Sequence, residues 1–94
     1  MNQYETIFIM NNQIAKEEQK TVIESITNYI KENGKIVKED DIGARKLAYE
    51  VKKQKEGYYY LIEFEANPNI ISELERIYRI TDTVLKFITI RKDD

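Results

Sequence analysis

Apolar and polar positions alternate with a period of two over residues 3–10, QYETIFIM, where Tyr4, Thr6, Phe8 and Met10 interleave with Glu5, Ile7 and Ile9. Most of these residues are β-branched or aromatic, so the pattern predicts a strand that is apolar on both faces. Asn11, Asn12 and Gln13 break it. From about Ala15 to Asn33 the period changes, and Val22, Ile23, Ile26, Tyr29 and Ile30 fall on one stripe of a helix. Asn33-Gly34 closes that helix, with the glycine expected in the left-handed C-terminal conformation.

Lys35 to Glu39 and Arg45 to Lys53 both read as extended, separated by EDDIG, whose Gly43 predicts a bulge within one long second strand. Leu47, Tyr49 and Val51 share a face there and are expected in the core. Lys52 to Glu56 reads as a hairpin loop, with Gly57 supplying a permissive backbone. Tyr58 to Ala66 alternates as a third strand, with Tyr58, Tyr60, Ile62 and Phe64 inward and Tyr59, Leu61, Glu63 and Glu65 outward. Asn67-Pro68 marks the start of a second helix, asparagine as N-cap and proline at the first position. Ile70 or Ile71, Leu74, Ile77 and Tyr78 form its apolar stripe. After a turn at Thr81 to Thr83, VLKFITIR reads as a fourth strand whose facing the alternation leaves open. The tail RKDD is polar and expected to fray.

Strand, helix, strand, strand, helix, strand is the α+β order of the ferredoxin-like fold, a four-stranded antiparallel sheet with two helices on one face. Right-handed crossovers put the first and third strands in the centre and leave the other sheet face open. That face would carry Ile7, Ile9, Tyr59 and Leu61, an apolar patch of the kind that marks a binding surface. With 94 residues, 41% hydrophobic content and no Pro/Gly/Ser-rich linker, the chain is expected to form a single domain over 1–94.

Composition then removes chemistries. The chain has neither cysteine nor histidine, so disulfides, thiolate zinc sites, thiol nucleophiles and imidazole bases are all excluded. Its three glycines, Gly34, Gly43 and Gly57, are too dispersed for a phosphate-cradling loop, and the segment after the first strand reads MNNQI, without the glycines and arginine an acylphosphatase-type site needs. Glu39, Asp40 and Asp41 are consecutive acids at a bend and are expected to scatter around the backbone instead of holding a metal. No enzymatic activity, cofactor or small-molecule substrate is therefore expected. No signal-peptide pattern and no apolar run long enough for a membrane span occur, which predicts a soluble, intracellular protein with no membrane partner.

Two features point to nucleic acid. The third strand, EGYYYLIEF, partly matches the aromatic segment with which RNA-recognition motifs stack bases on this topology: Gly57, Tyr58 and Tyr60 fit, while Glu56, Tyr59 and Glu63 depart. Tyr58 and Tyr60 fall on the inward register, which leaves Tyr59 to stack on a ligand. The second feature is a basic series, Arg45, Lys46, Lys52, Lys53 and Lys55, joined by Lys86, Arg91 and Lys92 on the last strand and tail. Lys52, Lys53 and Lys55 serve equally well to keep a hairpin soluble. Arg45 and Lys46, at the bend, are the stronger candidates. The net charge of −2 predicts that RNA affinity in isolation is weak.

GARKLAYEVK at Gly43 to Lys52 resembles the signature of the bacterial small-subunit ribosomal protein number six family, and the order agrees elsewhere. Tyr4-Glu5 lies in the first strand, Gly57-Tyr58 opens the third, and RITDTVLKF at Arg79 to Phe87 resembles the family's R-I-x-D-x-V-L-R run. The resemblance spans essentially the whole chain. It implies a non-catalytic scaffold of the cytoplasmic ribosome that binds the central domain of 16S ribosomal RNA together with small-subunit protein number eighteen. On this reading Ile7, Ile9, Tyr59 and Leu61 would be partner surface, and Arg45, Lys46, Lys86, Arg91 and Lys92 would neutralise phosphates. Asn12 stands where relatives often have proline, Asn2 and Gln3 where a basic residue is common, and Lys86 where arginine is frequent, which loses a bidentate fork. Two alternatives remain: a single-strand RNA-binding module of the recognition-motif type, and a self-associating regulatory ferredoxin-like domain.

Overall fold

The computed structural model describes residues 1–92, so the last two residues of the RKDD tail lie outside the described residues. Strand β1 (Asn2–Asn11) leads to helix α1 (Lys16–Asn33), strand β2 (Gly34–Val51), strand β3 (Gln54–Ala66), a 3-10 turn at Pro68–Ile70, helix α2 (Ile71–Ile80) and strand β4 (Val84–Arg91). The sheet order is β2-β3-β1-β4 with every neighbour antiparallel, so the first and third strands are central. This is the expected ferredoxin-like architecture. Neither helix is long and apolar enough to cross a membrane.

The core lies between the helices and one face of the sheet. Tyr4, Phe8 and Met10 of β1, Tyr60, Ile62 and Phe64 of β3, Val22, Ile26 and Ile30 of α1, and Leu74 and Tyr78 of α2 are all buried in one cluster. The Tyr78 ring sits 5.2 Å from Phe8 and 4.9 Å from Phe87, so α2 is fixed to both β1 and β4 by aromatic contacts. Thr6 is fully buried on the same face. Its hydroxyl lies 2.9 Å from the Tyr78 hydroxyl and 2.9 Å from that of Thr89, so burial leaves no polar atom without a partner. Helix α1 has no side-chain N-cap, but Glu17 and Glu18 in its first turn and Lys31 in its last complement the dipole. The Gln19 amide donates to the Asn11 carbonyl at 3.0 Å and ties the start of α1 to the end of β1.

Five local expectations change. Gly34 is extended, at φ −170°, and opens β2 directly, because a side chain there would meet the Glu65 carbonyl and the Ala66 side chain. Asn67 makes no side-chain cap, and Pro68 begins the 3-10 turn that precedes α2. The hairpin is tighter than its polar composition suggests, turning at Lys52 and Lys53, which both adopt positive φ. Gly57 therefore lies inside β3 and is buried. Tyr49, expected in the core beside Leu47 and Val51, is 63% exposed, and those two are only half-buried. The physical reason is register: β2 shifts against β3 between Lys46 and Val51, so the alternation that assigned Tyr49 inward does not run through this stretch. The expected bulge at Gly43 is present, with φ +91° and a register shift between Asp41 and Gly43.

Gly57 is the residue that allows β1 and the hairpin to pack at this end of the sheet. A Cβ there would overlap Ile9 Cγ2, with Leu47 Cδ2 next to it. Gly57→Ala should therefore lower unfolding free energy by about 1–3 kcal/mol in urea titrations, through overpacking. Removing the obstacle as well, in Ile9→Ala/Gly57→Ala, should cost less than the two single losses added together; strict additivity would show that the contact is not the cause.

Candidate partner and nucleic-acid surface

Directly paired residues of antiparallel strands project to the same side, so register assigns the open face. Ile7 pairs with Leu61 and with Ile88, Ile9 with Tyr59 and Lys86, and Glu5 with Glu63 and Ile90. Ile7, Tyr59 and Leu61 are half-buried, while Ile88 and Ile90 are 56% and 46% exposed. A shallow hollow of about 280 Å³ lies between Ile7, Ile9, Tyr59, Lys86, Phe87 and Ile88. Ile7, Tyr59 and Leu61 thus share the open sheet face. Ile9 shares the face but is only 9% exposed. Ile88 and Ile90, not singled out from the sequence, extend the patch to the β4 edge.

Ile9 is sheltered because the hairpin does not continue straight. From Lys46 onward the β2–β3 arm curls over the end of the sheet, with Leu47 beside Ile9 above Gly57. The arm reaches the opposite edge. Lys86 Nζ on β4 donates to the Tyr49 hydroxyl at 2.6 Å and stands 5.0 Å from the centre of its ring, at the hydroxyl-bearing edge. Lys52 Nζ at the turn donates to the Val84 carbonyl at 3.3 Å. An edge strand is thereby fastened to the far edge of its own sheet.

The candidate cations are all exposed but do not form one patch. Arg45 pairs with Gly57 and Lys46 with Glu56, so these neighbours project to opposite sides, Arg45 to the open face. Lys86 is on the open face and Arg91, paired with Tyr4, is on the helix side. Lys92 Nζ bonds Glu63 at 3.0 Å and lies 3.7 Å from Glu5, so it bridges two acids that face each other across β1 and β3 and offsets part of their charge. The hydrogen bond to Glu63 holds its pKa above the ordinary value. A phosphate at Lys92 must compete with both carboxylates.

The three tyrosines divide as well. Tyr58 and Tyr60 lie on the helix side, their hydroxyls donating to Asp41 and, at 2.7 Å, to Glu39. They cannot present ring faces to bases on the open face; Tyr59 alone can. Asp40 pairs with Leu61 and projects to the opposite side from Glu39 and Asp41, so the consecutive acids scatter as expected. Burial first, then the Glu39 carboxylate, push the Tyr60 phenol well above its ordinary pKa, and the hydrogen bond to Asp41 raises Tyr58.

The family profile described as Ribosomal protein S6 matches residues 3–91. The chain is similar to small ribosomal subunit protein bS6 of Caldanaerobacter subterraneus, 46% identical over 95 residues and covering 100% of both chains. It is also similar to the protein of the same name from Clostridium novyi, 45% identical over 94 residues and covering 99% of each. Among solved structures, 30S ribosomal protein S6 from Thermotoga maritima superposes with a TM-score of 0.92 at 36% identity, over 97% of this chain and 87% of that one.

The tyrosine–carboxylate pairs make stability sensitive to alkali. An unfolded tyrosine ionises near pH ~10. Tyr60 ionises higher in the fold, so the stability it contributes is complete below about pH 10 and is lost as pH rises toward the folded value. Tyr60→Phe should flatten the decline in unfolding free energy above about pH 10. Denaturant titrations at stepped pH that give parallel curves for the two proteins would show that Tyr60 does not drive the decline.

Proposed function

Because the chain belongs to the ribosomal protein S6 family, a structural and non-catalytic component of the small subunit of the cytoplasmic ribosome, we propose that it binds the central domain of 16S ribosomal RNA jointly with small-subunit protein number eighteen. The observation that carries this reading is the open sheet face. Ile7, Tyr59, Leu61, Ile88 and Ile90 leave an apolar patch uncovered on a domain whose helices have no access to it. A protein partner would bury that patch. Arg45 and Lys86 on the same face would meet phosphates at its margin, and Lys46, Arg91 and Lys92 would do so from the edges. The alternative of a stand-alone single-strand binder has less support, since Tyr58 and Tyr60 turn toward the helices.

With a net charge of −2 the chain releases few counterions by itself, and a basic partner supplies the rest. RNA affinity should therefore be weak for the isolated protein and rise by at least about tenfold when the partner is added. Leu61→Glu, which puts a charge into the patch, should remove the enhancement and leave the weak binding unchanged. Filter-binding titrations with and without partner check both statements. Tight binding by the protein alone, or an undiminished enhancement in Leu61→Glu, would contradict the joint-binding reading.

A further inference from the structure

We propose that a second hollow, at the β4 edge beside the hairpin turn, is a phosphate cradle for the RNA backbone, formed by Lys52, Arg79 and Lys86; it rests on the RNA-binding reading above and specifies where the phosphates sit. The hollow has a volume of about 310 Å³ and is lined by these three cations over Tyr78, Val84, Leu85 and Phe87. Lys52 comes from the β2–β3 turn, Arg79 from the last turn of α2 and Lys86 from the outward face of β4. The folded arm brings Lys52 to the other two.

Their charge is uncompensated. Lys92 has Glu63 and Glu5, and Arg76 has Glu73 at 2.7 Å, but among the described residues no carboxylate lies within ion-pairing distance of Lys52, Arg79 or Lys86. Lys52 is bonded to a backbone carbonyl and Lys86 to a tyrosine hydroxyl, both neutral acceptors that leave the positive charge in place. Among the described residues Arg79 makes no side-chain hydrogen bond, so its planar fork faces the hollow without a competing acceptor there. In a chain with more acids than bases, three unpaired cations around one hollow form a local positive potential.

The turn adds an independent sign. Lys52 and Lys53 occupy consecutive positions at φ +49° and +66°, where two-residue hairpins favour asparagine and glycine. Lysines are held there against backbone preference, and Lys52 is directed to the β4 edge by its bond to Val84. The apolar floor of Val84, Leu85 and Phe87 suits a sugar unit between phosphates.

The test is the salt dependence of binding to central-domain RNA in the presence of the protein partner. Arg79→Gln disturbs no side-chain hydrogen bond among the described residues and should reduce the slope of log affinity against log salt by roughly one unit; Lys52→Gln/Arg79→Gln/Lys86→Gln should reduce it by roughly three. The triple variant should also lose at least about tenfold in affinity at low salt. A charge-matched control, Lys20→Gln/Lys31→Gln/Lys35→Gln, should keep the wild-type slope. Wild-type binding with an unchanged slope in both hollow variants overturns the cradle and leaves the RNA reading standing. If the wild-type pair does not bind this RNA, both fall. If the triple variant loses the protein partner while its slope on RNA is unchanged, the hollow serves an acidic protein surface and the phosphate assignment is wrong.

Discussion

Every residue of β1 pairs with β3 in one unbroken register, from Asn2 with Ala66 to Asn11 with Gly57. A slip of β3 by one residue along this pairing would move Tyr60, Ile62 and Phe64 to solvent and Tyr59 and Leu61 into the core. Two contacts on the inward face fix β1 against its neighbours. The Phe8 and Tyr60 rings meet at 5.6 Å, and the Thr6 hydroxyl joins Tyr78 of α2 and Thr89 of β4. A buried hydroxyl satisfied only in one alignment penalises the others, because a shifted Thr6 would leave the Tyr78 hydroxyl stranded at about 1–3 kcal/mol. Core and open face are thus two consequences of a single register.

The hairpin arm depends on that register too. Gly57 stands opposite the end of β1, and the space left by its missing side chain is where Ile9 and Leu47 converge. With the arm lying down, Tyr49 reaches Lys86 and Lys52 reaches Val84, closing the sheet end that strands of unequal length would leave ragged. The β2 bulges serve the same end. Each shift in pairing bends the strand, and the one between Lys46 and Val51 delivers Tyr49 to the β4 edge instead of the core. Function follows from placement: the arm covers one margin of the apolar patch with tyrosine and lysine and leaves Ile88 and Ile90 uncovered.

Where backbone periodicity is unbroken, the sequence was legible to the residue. The helix stripe through Val22, Ile26 and Ile30, the inward set of β3 and the open-face set Ile7, Tyr59 and Leu61 all follow from a period of 3.6 or 2. Legibility failed at bulges. Val84 and Phe87 both face the core although three positions apart, because the β1–β4 register shifts between Ile9 and Met10, so no alternation could fix the facing of β4 or find Ile88. The turn was misplaced for a related reason: Lys52 and Lys53 adopt a conformation that glycine or asparagine usually marks, while the nearby Gly57 is used for close packing. Sequence proximity also misled for the cations, since Arg45 and Lys46 are adjacent in the chain and opposite in the sheet.

Charge allocation resolves the apparent conflict between an acidic domain and the proposed RNA partner. Glu73 pairs with Arg76, and Lys92 with Glu63 and Glu5, so part of the acidic charge is met within the fold. Exposed pairs of this kind contribute roughly 0–1 kcal/mol each to stability, so their larger effect is on the electrostatic field. They cancel locally and fall off within a Debye length of about 8 Å at physiological salt. Cations bonded only to neutral acceptors are not cancelled. Lys52 and Lys86 are of this type, and the arm brings Lys52 to Lys86 at the β4 edge next to the apolar patch. A polyanion approaching this edge therefore meets positive charge even though the whole molecule is negative, and the arm adds Lys52 to it only while folded across the sheet.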